Sequence, residues 1–314
     1  MVWWITRYKP SPSVCRSGVD IVILKDVKCL NQYLEFKQKH AELLSKPLLL
    51  WLNRGDIDDI EQLIRFSDGV ILERNNIYSE EHCDCVLRYC KEFYKPLFFN
   101  KPDLVKDYYD SKDRDRHIVQ VIQDVVENNV DGISIMDDEV EMPPKDIIRS
   151  IVRAMSFAER IRDKQKSYFD FSYKLNVPVL PSISTALAAS LAALKCAAKA
   201  IFVITKTGTS ARWCAKMSPS SPIVAITTQK STARRLHLYK RVIPLFYDEP
   251  RLENWHQEWW NRIRFGTTFA LKTGLFHSGA KLVVLSPTEE GIGYCNGFQI
   301  VTVPYKCDDS DVLE

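Results

Sequence analysis

At 314 residues the chain is long enough for two domains, or for one large α/β barrel with an appendage. Hydrophobic residues at 46% and charged residues at 26% are the proportions of ordinary soluble domains, so disordered, collagenous and membrane classes are poor fits. The formal charge of +3, from 43 Lys and Arg against 40 Asp and Glu, comes with no basic block and argues against nucleic acid as a partner.

The N-terminal Met1 to Arg7 lacks the apolar stretch of a secretion signal. From Val19 to Arg153 short apolar runs alternate with longer amphipathic stretches. The runs cover residues 19–24, 47–52, 69–72, 96–99 and 132–136; short, β-branched and nearly continuous, they read as strands buried on both faces. Helices are expected over 56–66, 79–92 and 114–128, the second opened by Ser79 as a cap. Repeated β-α units imply parallel strands with right-handed crossovers. Five strands are counted before the pattern changes. After Pro143-Pro144 a long charged helix is expected over 146–168 and a linker over 169–181.

The domains are therefore drawn as 1–165 and 166–306, with an acidic, frayed tail at 307–314. The second domain opens with an Ala-rich helix over 184–198. Strands follow at 200–204, 222–226, 242–246, 281–285 and 299–303, with helices between the first four. The last strand returns as a hairpin after Gly291-Ile292-Gly293. The longest Ala/Leu-rich run, 185–205, is interrupted by Lys195 and Lys199 and falls short of the roughly 20 apolar residues of a membrane span. Nine scattered cysteines, an odd number, suggest free thiols in a reducing compartment, and a cytoplasmic location is expected.

Within the second domain, Ile204-Thr205-Lys206-Thr207-Gly208-Thr209-Ser210-Ala211 leaves a strand and enters a helix. Hydroxyls, a lysine and a flexible glycine stand where backbone N–H groups and the helix dipole favour an anion. The same residue types also serve plain capping turns. His82-Cys83-Asp84-Cys85 with Cys90 has the residue types of a metal site, but on a helix Cys-x-Cys points its thiols to different sides, and buried and exposed thiols are the expectation. Trp255 and Trp259, four residues apart, suit helix packing, although with Trp260 they could also form an aromatic platform.

The run Pro222 to Thr227, then Thr232-Ala233-Arg234-Arg235-Leu236-His237-Leu238-Tyr239, then Val242-Ile243-Pro244, closely resembles the C-terminal domain of pyruvate kinase. The Thr205 to Ser210 stretch is similar to that family's phosphate loop at its allosteric sugar-bisphosphate site. Trp255, Arg262, Gly291, Gly293 and Asn296 fall at the family's spacing. The resemblance is specific over roughly 182 to 304. Upstream it continues through Ser67-Asp68-Gly69-Val70-Ile71, Lys95-Pro96 and Val130-Asp131-Gly132, which match later strands of the pyruvate kinase (β/α) barrel. It implies an incomplete TIM-type barrel remnant followed by a three-layer α/β domain, with about the first two fifths of a usual family member missing.

In the family, phosphoryl transfer uses a lysine, a divalent metal on a Glu and an Asp, a monovalent cation and a threonine. The segment resembling the Lys-x-Glu strand is Leu48-Leu49-Leu50-Trp51-Leu52-Asn53. Its register puts the lysine position on Leu50 or Trp51 and the glutamate on Leu52 or Asn53. Glu73-Arg74-Asn75-Asn76 replaces Ala-Arg-Gly-Asp, so Asn76 stands at the metal-binding aspartate, and Lys101 stands at the threonine. Glu73, or the cluster Asp137-Asp138-Glu139, could form a substitute metal site, or the cluster could be a solvated loop.

The family reaction is therefore expected to be absent and no cofactor is expected. Magnesium and potassium belong to the alternative of a working pyruvate kinase. The favoured reading is a non-catalytic structural or regulatory subunit, in a homo-oligomer or with full-length pyruvate kinase subunits; a phosphometabolite-binding module is a further alternative. Thr205, Lys206, Thr207 and Ser210 would hold one phosphate of a sugar phosphate, with Trp255 and Arg262 at the second. Glu289 and Glu290, in the loop closing over the sugar, would repel a bisphosphate. No membrane partner is expected.

Overall fold

A computed structural model of the chain describes residues 3–7, 20–41, 46–53, 59–73, 80–101, 104, 114–135, 145–161, 164–175, 177–217 and 219–304. Two compact units divide the chain, Met1–Arg162 and Asp163–Glu314.

In the first unit the apolar runs become strands β2 (Ile21–Lys25), β3 (Leu48–Leu52), β4 (Gly69–Glu73), β5 (Leu97–Asn100) and β6 (Gly132–Ser134). A sixth strand, β1 (Trp3–Arg7), pairs parallel to β2 and raises the expected five to six. It escaped notice because a single five-residue run with Thr and Arg at its end carries no alternation to set it apart from a loop. The sheet order is β1-β2-β3-β4-β5-β6, every neighbour parallel. Successive strands of a (β/α) barrel are ordered in this way.

Helices α1 (Leu30–Lys39), α2 (Ile60–Phe66), α3 (Glu80–Glu92) and α4 (Arg114–Glu127) fall between the strands. Val22, Leu24, Leu50, Leu52, Val70, Leu72 and Phe99 pack with Tyr33, Phe36, Leu63, Ile64, Val86 and Leu87 in one core cluster. The alternate residues Ile21, Ile23, Leu49, Trp51 and Ile71 are also buried, so the strands are covered on both faces. Two carboxylates fix the strand entrances. Asp68, just before β4, accepts the Leu48 N–H at 3.0 Å, and Asp131, just before β6, accepts the Leu97 N–H at 3.1 Å. Each is followed by glycine; a Cβ at Gly69 would lie 2.8 Å from Pro96 Cγ and 3.1 Å from its carbonyl oxygen.

The single helix expected over 146–168 is two, α5 (Lys145–Ile161) and α6 (Lys164–Ser172), and the start of the expected linker is helical as far as Ser172. Each piece buries its own apolar side chains. Ile147 and Ile151 on α5 pack with Ile118 and Ile122, while Tyr168 on α6 is buried and donates its hydroxyl to the Leu187 carbonyl at 3.0 Å.

The second unit continues with α7 (Pro181–Lys195), which starts three residues before expectation because Pro181 suits a first helical turn. Then come β7 (Ala200–Ile204), α8 (Thr209–Lys216), β8 (Ile223–Thr227), α9 (Lys230–Leu236), β9 (Val242–Phe246), α10 (Trp255–Lys272), β10 (Lys281–Ser286) and β11 (Gly297–Thr302). The sheet order is β11-β10-β7-β8-β9, parallel except for β11, which returns antiparallel on β10 as expected. Phe202, Ile204, Val224 and Ile226 pack against Trp259, Ile263 and Ala270 of α10. Contact is close at Gly266, where a Cβ would stand 2.8 Å from Ile226 Cδ1 and 2.9 Å from Phe202 Cε2.

Strand order reverses between β7 and β10: the chain runs outward through β8 and β9, then crosses back to the other side of β7. A crevice forms outside the carboxyl ends of parallel strands at such a reversal, and ligands bind there. Residues 305–314, including the expected tail, lie outside the described residues.

Candidate functional site

The reversal brings the end of β7 next to the end of β10, with Val203 opposite Leu285. Thr205 follows β7 and is buried; its Oγ1 accepts the Gly208 N–H at 3.0 Å, closing a tight turn. Gly208 caps α8 at φ +79°, a conformation that glycine tolerates and a Cβ would oppose. Among the described residues no side chain caps this helix, so its first-turn N–H groups are left without a side-chain acceptor. Lys206 and Thr207 are exposed, and Ser210 is buried against the Cys295 thiol. Thr207 and Thr209 hydroxyls lie 3.0 Å apart, and Thr209 Oγ1 accepts Arg212 Nη2 at 3.0 Å. Arg212 is a cation that the sequence reading missed; its spacing of one helical turn from Gly208 was the available signal.

On the β10 side, Asn254 caps α10 by accepting the His256 and Gln257 N–H groups at 2.9 and 3.2 Å. Trp255 and Trp259, on its first turns, line a cavity of about 150 Å³ with Ser286, Pro287, Thr288 and Gly297. Trp259 donates its indole N–H to Ser286 Oγ at 2.8 Å. Asn296 pins the loop after β10, accepting the Thr288 N–H and donating to its hydroxyl, each at 2.8 Å. In this loop Glu290 pairs with Arg251. Arg262 is turned inward. Its Nε and Nη2 reach one oxygen of Glu258 at 2.8 and 2.6 Å, and its guanidinium lies 5.5 Å from the Tyr247 ring centre. Burial, then the Glu258 charge, raises the Tyr247 pKa.

In the first unit the corresponding edge is the carboxyl end of β2 to β6. Trp51 donates its indole N–H to Glu73 Oε2 at 3.0 Å, and the Lys25 ammonium lies 4.0 Å from the Trp51 ring centre. Leu50 and Leu52 belong to the helix-side cluster, while Trp51 shares a face with Glu73. Asn53 is half-buried beyond β3. Lys101 gives its backbone N–H to the Ser134 carbonyl at 2.8 Å, tying β5 to β6. Asn100 and Ser134 are register neighbours, both buried, and among the described residues neither Asn100 Oδ1 nor Ser134 Oγ has a hydrogen-bond partner. Asn76, Asp137, Asp138 and Glu139 lie outside the described residues.

A divalent cation in such an edge asks for several hard oxygens with carboxylate among them. Here the Glu73 carboxylate is engaged by an indole, the next face position is a neutral amide, and no three His, Cys, Asp or Glu gather among the described residues. The described part of this edge therefore offers one engaged carboxylate and one buried amide. Cys83 and Cys90 on α3 are buried while Cys85 is half-buried, so the His82 cluster divides between two sides of its helix, and no described cysteine is in a disulfide. No helix among the described residues is long and apolar enough to cross a membrane.

Comparison with known proteins adds a family to this geometry. A family model described as pyruvate kinase, alpha/beta domain, matches residues 184–301, the segment from α7 into β11. Pyruvate kinase 2 of Saccharomyces cerevisiae is 27% identical over 301 residues, covering 92% of this chain and 59% of its own length. Pyruvate kinase of Agaricus bisporus is 26% identical over 306 residues, covering 92% and 57%. A pyruvate kinase of Rattus norvegicus reaches 34% identity over 123 residues, 39% of this chain and 21% of its own length. The chain spans about 59% of the length of the relative matched at 27%.

Proposed function

From the premise that this chain is a member of the pyruvate kinase family, we propose that it does not transfer a phosphoryl group from phosphoenolpyruvate to ADP and acts as a non-catalytic regulatory or structural subunit. The observation that carries this reading is the Trp51–Glu73 hydrogen bond of 3.0 Å. Phosphoryl transfer needs cations aimed at the moving group. A neutral indole stands on β3 where the resemblance calls for lysine, and it occupies the carboxylate beside it. Loss of one oriented group of this kind costs about 10²–10³ in rate, and here the lysine and the acidic ligand are replaced together.

The test is a coupled assay of the purified chain with phosphoenolpyruvate, ADP, Mg²⁺ and K⁺, with sugar phosphate present or omitted. The expected result is no pyruvate above that of the Glu73→Ala and Lys101→Ala variants. Turnover lost in those variants would restore the alternative, a working pyruvate kinase that needs both cations. The subunit role is tested by co-purification with full-length pyruvate kinase, and a stable monomer that joins neither itself nor such subunits counts against it.

A second reading is favoured by the crevice between β7 and β10. There the Thr205 to Ser210 hydroxyls and the uncapped start of α8 supply the chemistry of a phosphate site, which would make the second unit a phosphometabolite-binding module. Thermal stabilisation by inorganic phosphate, lost in Thr205→Ala, is the expected outcome; no shift at millimolar phosphate would remove this reading.

A further inference from the structure

A cavity of about 710 Å³ lies between α10 and the segment that follows β9. That volume suits a small organic ligand. None of its lining residues lines the cavity beside Trp255, so it is a separate site and is independent of the phosphate reading. Helical spacing builds its walls. Ile263, Gly266 and Ala270 of α10 face the sheet, which leaves Asn261, Arg264, Thr268 and Lys272 along one outer stripe at the cavity. Phe265 and Phe269, one turn apart, add aromatic surface, and the Tyr247 ring meets that of Phe265 edge-on at 5.4 Å.

Polar groups give this apolar cavity a charge preference. Tyr247 lines it although only 3% exposed, and its hydroxyl makes no hydrogen bond among the described residues. Arg264 is exposed and gives one N–H to Asn261 Oδ1 at 3.1 Å, and no carboxylate pairs with it among the described residues. The Arg264 and Glu249 charges both act on the Tyr247 hydroxyl, which places both near it. Lys272, about 12 Å further along the helix, has no carboxylate partner among the described residues either. It stands in the last turn, where the helix dipole opposes an anion. Arg264 lies two turns further in and escapes that penalty, and its planar fork can offer a carboxylate two N–H groups. Glu249, on the loop wall, has no cationic partner among the described residues and repels a second negative charge.

We propose that this cavity binds an aromatic monocarboxylate. The ring system lies on Phe265 and Phe269, Arg264 holds the carboxylate, and the Tyr247 hydroxyl gains in the ligand the acceptor that it lacks in the chain. Glu249 limits the ligand to one negative charge.

Calorimetry on the full chain with three probes of one shape tests this: naphthoate, naphthalenemethanol and naphthalenemethylamine. Naphthoate is expected to bind about tenfold or more tighter than the alcohol, the scale of one charge-assisted bond, with the amine weakest. Arg264→Met, which keeps the apolar stem, should remove that advantage and leave the alcohol within about twofold. Tyr247→Phe should weaken naphthoate by about threefold or more and leave the urea midpoint unchanged, since the hydroxyl has no partner to lose in the unbound chain. Thr268 is exposed, so Thr268→Trp fills the cavity without touching the core and should abolish binding of the acid and the alcohol alike.

Equal affinities of acid and alcohol, or naphthoate binding unchanged in Arg264→Met, would overturn the assignment. Tightest binding of the amine would do so too, by giving the site to Glu249. Unchanged affinity in Tyr247→Phe, or a fall in its stability, overturns the role given to that hydroxyl. Binding that survives Thr268→Trp puts the probe elsewhere, and a chain that binds none of the three at millimolar concentration has no such site.

Discussion

Cys295 directs its thiol at the Ile204 carbonyl oxygen, 3.3 Å away, and a second contact reaches the Leu285 carbonyl at 3.9 Å. One buried sulfur therefore links the carboxyl ends of β7 and β10 beneath the crevice.

That placement predicts an alkaline weakness. Burial pushes the Cys295 thiol from 9.0 up to about 11, the Ser210 hydroxyl opposing it, and pushes Cys214 from 9.0 up to about 12, with Ser190 opposing. The folded chain thus keeps protons that the unfolded chain releases. This contribution to stability is complete below pH 9 and is lost as pH rises toward 11 and 12. Urea unfolding at a pH between those limits should show the chain weakened by about 1–2 kcal/mol more than the Cys214→Ala variant is over the same interval. Equal pH slopes in the two proteins would show that the thiol does not contribute.

Arg262 and Glu258 form the most enclosed ion pair among those described, with side chains 13% and 1% exposed. Arg262→Ala should lower the stability of the second unit by about 3–5 kcal/mol, since it leaves a carboxylate uncompensated. Replacing both residues by methionine should return most of that loss. Denaturation followed by tryptophan fluorescence checks the difference, and a double variant as weak as the single one would contradict the account.

Asn100 is 1% exposed, and its side-chain oxygen meets no donor among the described residues. An unsatisfied buried acceptor costs about 1–3 kcal/mol. Asn100→Leu, which keeps the branched heavy-atom skeleton without polar atoms, should therefore hold or raise stability by about 1 kcal/mol in urea unfolding. A clear loss of stability would mean that the amide has a partner.

Much of this fold could be read from residue patterns. The runs at β3 to β5 are short, apolar and entered by Lys-Pro or Asp-Gly, because strands covered on both faces need nothing else. Trp3–Arg7 lacks that enclosure in its sequence, and only its pairing with Ile21–Lys25 defines it. The crevice was partly legible: Thr205 to Ser210 announce a strand-to-helix turn by composition. The fate of Arg262 was less so. A Glu258–Arg262 spacing of one turn is visible in the sequence, but the choice between an inward partner and an outward ligand depends on burial, and burial depends on where Leu252 and Tyr247 return in space. Trp51 posed the same difficulty, since its face on β3 follows from a register that one residue of loop length reverses.

The two sheets also differ in how they can be assembled in time. In the first unit each strand pairs with the strand before it, from β1 to β6, so a chain growing from its N-terminus can add one β-α step after another with only short loops to close. The second unit cannot proceed this way. Strand β7 has β10 as its partner on one side, so that edge stays open until β8, β9 and α10 have all emerged. Long-range pairing of this kind is slow to form. The crevice and its buried thiol come into existence only at that last step, which makes the reactivity of Cys295 a clock for the completion of folding.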